Sequence, residues 1–313
     1  MAFSTNASRS MADARLPTPG TWQRLRRDPK VIASAAVLAL VVLTAVLGIF
    51  VFPERYQGIS EAQFSPPSRE HPFGTDLNGR DVLYHTLEGA RISLVVGIFG
   101  ALVSFAIGTA YGMYSGYKGG KIDASMMRFV DVLYAIPRLV FILIAISSFD
   151  SFLKKWLSDW HLDSLVGYSK ILILIVSLGA IEWLTMARIV RGQVLALKSQ
   201  QFVLAARALG QSNFQIVLRH IFPNLLGVIL IYVTLTIPAV ILDESFLSFL
   251  GLGVQAPQAS WGTLLAEGAQ TINPIKSNWW LLVFPAVAMS LTLLALNFLG
   301  DGLRDALDPR EKK

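Results

Sequence analysis

The sequence predicts an all-α integral membrane protein with six transmembrane helices. Both termini and one long polar loop lie on the cytoplasmic side. Three observations carry this. Apolar residues make up 53% of the 313-residue chain and charged residues only 15%, and the apolar ones are gathered into runs. Six of these runs are long enough to cross a hydrocarbon core of ~30 Å at about 1.5 Å per residue. Lys and Arg are unevenly shared between the flanking segments, 18 on one set against 8 on the other. That bias sets the orientation, and it explains the net charge of +6 without invoking nucleic acid.

Residues 1–30 form a polar cytoplasmic tail that ends in Arg24, Arg26, Arg27 and Lys30. Val31 to Phe52 is uncharged over 22 residues. It is too long for a signal-peptide core and lacks a small-residue cleavage site, so it reads as an uncleaved first span. Residues 53–91 are an external segment, and its Gly and Asp cluster around His71 to Asp81 favours turns. A five-helix core follows over 92–300, with spans at about 92–115, 125–148, 170–190, 225–243 and 279–300. Gly108, Gly112 and Gly116 repeat every four residues in the second span, a stripe that lets helices approach closely. Pro137 is expected to kink the third. Trp156, Trp160 and Tyr168 suit an interfacial belt. Residues 301–313 are a cytoplasmic tail.

Asp131, Arg138 and Glu182 are charges that fall within the spans. Charges there are costly and face water or a partner. Arg138 and Glu182 sit at similar depth, so they either pair or line a wet translocation path separately.

The polar loop 191–224 contains the strongest local signals, from Ser199 to Asn224. Phe202, Ala206 and Leu209 recur on one helical face. Gly210 stands where a glycine ends a helix, and Ser212 with Gln215 makes a capping box for the next one. Phe214, Val217, Leu218 and Ile221 give that second helix its own apolar face, and Pro223 is expected to stop it. The predicted shape is two short helices with an elbow at Gly210. Ala205, Ala206 and Ala208 permit close approach, and Arg207 and Arg219 are available to acidic partners. Such a surface either docks into a partner's groove or caps the bundle as an interfacial amphipathic loop.

Several functions are excluded or disfavoured. There is no cysteine, hence no disulfide or thiol chemistry. There is no phosphate-cradling G-x-x-x-x-G-K-[ST], no HExxH and no GxSxG. His71, His85, His161 and His220 are scattered. No catalytic residue, metal site or cofactor site is assigned to this chain. Residues 199–221 have a helix-turn-helix rhythm, but Arg219 and His220 alone cannot neutralise enough phosphate for DNA binding. An ion-coupled transporter using Asp131, Arg138 and Glu182 is a rival, without the inverted repeat such proteins show.

The loop resembles the cytoplasmic E-A-A-x3-G-x9-I-x-L-P loop of ABC importer permeases. Ala205, Ala206, Gly210 and Pro223 match it, while Leu204, His220 and Phe222 stand in for its Glu, Ile and Leu. HPFGTDLNGRDVL, with Gly74, Thr75, Asp76, Gly79, Arg80 and Asp81, is similar to the signature of the C-type permease of dipeptide, oligopeptide and nickel importers. So are GARISLVVG at 89–97, Asp131 and Pro137 in DVLYAIP, and GDGLRDALDPR at 300–310. The resemblance implies a multi-pass permease subunit of the bacterial inner membrane. It implies a sister permease, two ATPase subunits that bind ATP and Mg, and an external substrate-binding protein. Short peptides are the implied substrate, with nickel chelates as the alternative. Ala205, Ala206, Arg207, Gly210, Ser212 and Pro223 would then belong to the loop that couples to the ATPase, and the external signature would shape the outer mouth.

Overall fold

A computed structural model describes residues 25–26, 28–51, 61–272 and 277–307. Expectations for 1–24, Arg27, 52–60 and the terminal Asp308-Pro309-Arg310 lie outside these residues. Among the described residues there is no β-strand, only two isolated bridges. The helices are α1 (Pro29–Val51), α2 (Val82–Lys118), α3 (Gly120–Tyr134), α4 (Arg138–Asp159) and the single turn α5 (Asp163–Val166). They continue with α6 (Ser169–Leu197), α7 (Gln201–Ala208), α8 (Asn213–Ile216), α9 (Phe222–Phe249), α10 (Trp261–Gln270) and α11 (Trp280–Leu307).

Among the described residues five helices are long and apolar enough to cross a membrane, and the bent pair α3 and α4 would make a sixth if it crosses as one span. That pair corrects one expectation. Residues 125–148 are not a kinked helix but two helices bent by 84°. Pro137 has no N–H to continue the ladder and adopts an extended ψ of 124°. The chain therefore restarts at Arg138, and Pro137 accepts the first bond of α4 from Phe141.

The bundle is centred on α2 against α6. Here the glycine stripe decides the packing distance. A Cβ on Gly108 would lie 2.6 Å from Met186 Cβ, and one on Gly112 would lie 2.5 Å from the Ala187 carbonyl. Gly179 answers from α6, packed on Val103 and on the Gly100 carbonyl. Lipid offers no hydrophobic drive between helices, so this close backbone approach supplies the association by dispersion. α9 packs on both, and α1 lies outermost against α11 and α2 with Leu40, Leu43 and Phe50 exposed.

Two core clusters stack along the bundle. One centres on Val96, Ile142, Leu174, Leu178 and Val240. The other centres on Met186, Val190 and Leu225, and reaches Val203, Ala206 and Ile216 of the polar loop. The loop is thus moored to the bundle.

A second correction concerns Pro223. It does not stop the helix that begins at Asn213. That helix passes through a π turn, Val217–Ile221, into α9. The Phe222 N–H reaches back to the Val217 carbonyl, one residue further than in an α-helix. A proline ring would collide with the carbonyl four residues before it in α geometry, and the widened turn relieves that.

Candidate functional site

The elbow is built from short-range bonds. Leu209 caps the end of α7, and Gly210 follows at φ +78°. The Gly210 N–H bonds to the Arg207 carbonyl at 3.0 Å and the Gln211 N–H to the Ala206 carbonyl at 3.2 Å, a Schellman pair. Ser212 Oγ accepts from the Gln215 N–H, and Gln215 Oε1 accepts from the Ser212 N–H. A capping box of this kind stabilises a helix start by about 1 kcal/mol. His220, which stands in for an apolar residue of the loop pattern, bonds Gln211 at 2.8 Å and closes the elbow from inside.

The burial of the two short helices differs from the predicted faces. Val203 and Ala206 are buried on α7, and Ile216 and Ile221 on the second helix. Phe202 is 40% exposed, Leu204 50%, Leu209 80%, Phe214 73% and Leu218 43%. Ala205, Arg207, Ser212 and Pro223 are also exposed. Phe214 and Leu218 border an apolar cavity of 350 Å³ against Met113, Tyr114 and Tyr117 of α2. A cluster of large apolar side chains held outward on an elbow is a surface that a partner protein or lipid would cover.

A polar ladder runs along α6. Arg138 donates to Glu182 Oε1 at 2.6 Å and to Asp243 Oδ2 at 3.2 Å. Three residues on, Thr185 meets the Tyr134 hydroxyl at 2.6 Å. Next, Arg188 donates to Asp131 at 2.6 Å with its guanidinium 4.1 Å above the Tyr134 ring. Then Arg191 grips Asp123 with two bonds, at 2.5 and 2.6 Å. The structure thus joins Arg138 to Glu182 and leaves Asp131 to a separate partner. Glu182 is well buried, but the Arg138 side chain is 49% exposed, Arg188 44% and Asp131 61%. Half-open charges in spanning helices need water or protein beside them, not lipid.

Sequence reasoning placed Asp243 only at the end of a span, because its partner is 105 residues away. Nor did it find the neighbouring Glu244, which is fully buried. Ser93 and Ser248 donate to its carboxylate at 2.9 and 2.7 Å, and Ser93 Oγ accepts from the Trp261 N–H at 3.2 Å. This hub ties α2, α9 and α10 together. The only sequence signal for it is a carboxylate in an apolar run with serines nearby.

The signature at Gly74–Asp81 is a closed turn. Asp76 Oδ1 accepts from the N–H groups of Asn78 and Arg80 at 2.8 Å each. Gly74 and Gly79 have φ of +76° and +74°. Thr75 is fully buried, and its carbonyl accepts from Trp280 Nε1 at 3.3 Å. Asp81 caps α2 through the Leu83 N–H at 2.9 Å and holds His71 Nδ1 at 3.0 Å. Arg80 lies beside His85 Nε2 at 3.4 Å.

Comparison with known proteins bears on this arrangement. Residues 108–313 match a family described as binding-protein-dependent transport system inner membrane component. A dipeptide transport system permease protein of Bacillus subtilis is 44% identical over 298 residues, spanning 95% of this chain and 87% of its own. An oligopeptide transport system permease protein of Haemophilus influenzae is also 44% identical, spanning 93% of this chain and 89% of its own. The oligopeptide permease protein of Escherichia coli K12 is 44% identical, spanning 93% and 92%.

Proposed function

The chain belongs to the binding-protein-dependent transport system inner membrane components, and from that premise we propose that it is one of two permease subunits of an ATP-driven importer of short peptides. It is a multi-pass inner membrane protein. The peptide class rests on relatives named for dipeptide and oligopeptide transport, and nothing favours nickel chelates.

The observation that carries the mechanism is the elbow, with Leu209 and Phe214 the most exposed of its apolar side chains. On this reading the elbow faces the cytoplasm, as do both termini, and docks on one of two ATPase subunits. Those subunits hold the ATP and Mg, and this chain contributes no ATPase site of its own. Their closure moves the elbow, and α9 carries the movement into the membrane without an intervening loop. The half-open flank with Arg138, Glu182, Asp243 and Asp131 then faces the sister permease across the path. An external binding protein delivers the peptide.

Reconstitution tests this. The chain is assembled with its sister permease, the ATPases and the binding protein in proteoliposomes. Uptake of labelled di- and oligopeptides is expected to require ATP and to survive collapse of ion gradients. Uptake that needs a gradient and not ATP, or that accepts only a nickel chelate, overturns the reading.

A further inference from the structure

The 350 Å³ groove between α2 and the stretch from Asn213 to Leu218 has walls graded in polarity. On α2, Ala110 and Met113 lie in the apolar run of the span, and Lys118 ends the helix about 12 Å beyond Ala110. The facing wall is graded in the same sense, with Val217 and Leu218 apolar and Asn213 polar. The two polar ends meet where the Tyr117 hydroxyl donates to Asn213 Oδ1 at 2.8 Å. That bond takes up the Asn213 acceptor and leaves its amide N–H groups as donors. Lys118 is exposed, with its ammonium 5.9 Å from the centre of the Tyr114 ring, and among the described residues it has no carboxylate partner. Among the described residues no acid lines the groove. Its floor, Met113, Tyr117 and Val217, packs on the core cluster that moors the elbow.

We propose that this groove binds an anionic phospholipid of the cytoplasmic leaflet, with an acyl chain along Ala110, Met113 and Leu218 and the headgroup phosphate on Lys118 and the Asn213 amide. This rests on the reading that places the elbow in the cytoplasm. A phospholipid changes from hydrocarbon to anion along its own length, and the groove changes from apolar wall to cation in the same direction. Basic pockets between spanning helices on the cytoplasmic side hold such headgroups. Tyr114 and Tyr117 stand at the change of polarity, and tyrosines gather at headgroup level. A water-soluble ATPase subunit fits the deep half poorly, because Ala110 and Met113 lie within the apolar run, at a depth that lipid reaches. A zwitterionic lipid would fill the apolar half equally well, so Lys118 sets the preference for a net negative headgroup. Because the floor belongs to the cluster that also holds Val203, Ala206 and Ile216, a lipid seated there braces the elbow against α2.

The test uses the assembled permease and ATPase complex in lipid nanodiscs. Phosphatidylglycerol and phosphatidylcholine carrying the same diazirine in one acyl chain are compared, and the adducts are mapped by mass spectrometry after illumination. Groove residues of α2 and of Asn213–Leu218 are expected to take up roughly fivefold more phosphatidylglycerol, the worth of one lysine near an anionic surface. Leu40 and Leu43, exposed on the outermost helix α1, serve as the internal control and should label equally with both lipids. Lys118→Gln is expected to remove the preference in the groove and to leave α1 unchanged. Ala110→Phe, at an exposed position of the wall, is expected to fill the groove and abolish its labelling by both lipids. Both variants are first checked for intact assembly. Equal labelling of the wild-type groove by the two lipids overturns the proposal, as does an unchanged preference in Lys118→Gln or persistent groove labelling in Ala110→Phe. A groove that stays unlabelled while α1 is labelled is covered by a protein subunit, and the proposal also falls. ATP-driven peptide uptake by the complete wild-type system is measured alongside. If uptake persists while the labelling result fails, only this inference is lost.

Discussion

The signature turn at Gly74–Asp81 and the elbow at Ser199–Asn224 are both polar, glycine-containing connections at the ends of spanning helices, and they are built on opposite principles. The turn is interlocked with distant parts of the chain. A Cβ on Gly74 would sit 2.6 Å from the Ser65 carbonyl and 2.8 Å from Trp280 Nε1. The elbow is closed mainly by its own neighbours, and a Cβ on Gly210 would meet nothing within 4 Å. One glycine answers to space and to φ together, the other to φ alone. Immobile scaffold is made by contacts across the fold. The elbow is held by short-range bonds and left open outside.

The contrast predicts a graded series. Gly74→Val should have the largest effect, a loss of stability on the order of 4 kcal/mol from strain plus collision. It should appear as poor assembly and a low melting temperature of the purified complex. A Gly74→Val complex as stable as wild type would erase the distinction between the two glycines.

Gly210→Val comes next. Strain alone costs about 1–3 kcal/mol, so the protein still inserts and assembles. ATP-driven peptide uptake in vesicles should nevertheless drop about tenfold or more, because the second helix is misaimed. Gly210→Asn, which tolerates positive φ, should retain most uptake. Normal uptake in the valine variant would remove the elbow from the mechanism.

Phe214→Ser should separate docking from folding. Phe214 is 73% exposed, so stability should shift by no more than ~0.5 kcal/mol. Association with the ATPase subunits should weaken by about 2 kcal/mol, roughly thirtyfold, in a pull-down titration. Undiminished association would assign the exposed apolar face to lipid.

The smallest perturbation sharpens the comparison by side of the membrane. Leu77→Cys and Leu209→Cys, at positions 58% and 80% exposed in a chain without cysteine, should leave insertion and folding intact. An impermeant thiol reagent should reach them from opposite faces. Labelling of both from one face would overturn the topology.

What could be read from sequence follows the same division. The helix end at Gly210 and the box at Ser212 are local grammar, and their bonds form between residues three to five apart. The glycine stripe was legible because periodicity reports a face. Which face of α7 is buried was not, because Val203 with Ala206 and Phe202 with Leu209 are both apolar, and only packing against α8, the π turn and α6 chooses between them. The break before Arg138 and the passage through Pro223 depend on how neighbouring helices hold the chain, so proline alone could not tell a kink, a break or a π turn apart. Asp243 was missed as a partner because its contact to Arg138 is long-range and has no local pattern.

The π turn at Val217–Ile221 has a mechanical consequence. Because the chain is helical from Asn213 to Phe249, the elbow and the span form a single rod. From Asn213 to Asp243 that rod is roughly 45 Å long at 1.5 Å per residue. The Glu244 hub pins it near the far end to Ser93 and, through that hydroxyl, to Trp261. Were it to hinge there, a tilt of roughly 5° would sweep the elbow through roughly 4 Å while barely shifting Asp243, as a reducing lever does. The π turn takes up its extra residue locally, so the helix keeps its phase on either side. Deleting one residue from the α-helical stretch that follows would instead swing Phe214 by about 100° around the rod, leaving the handle pointing another way.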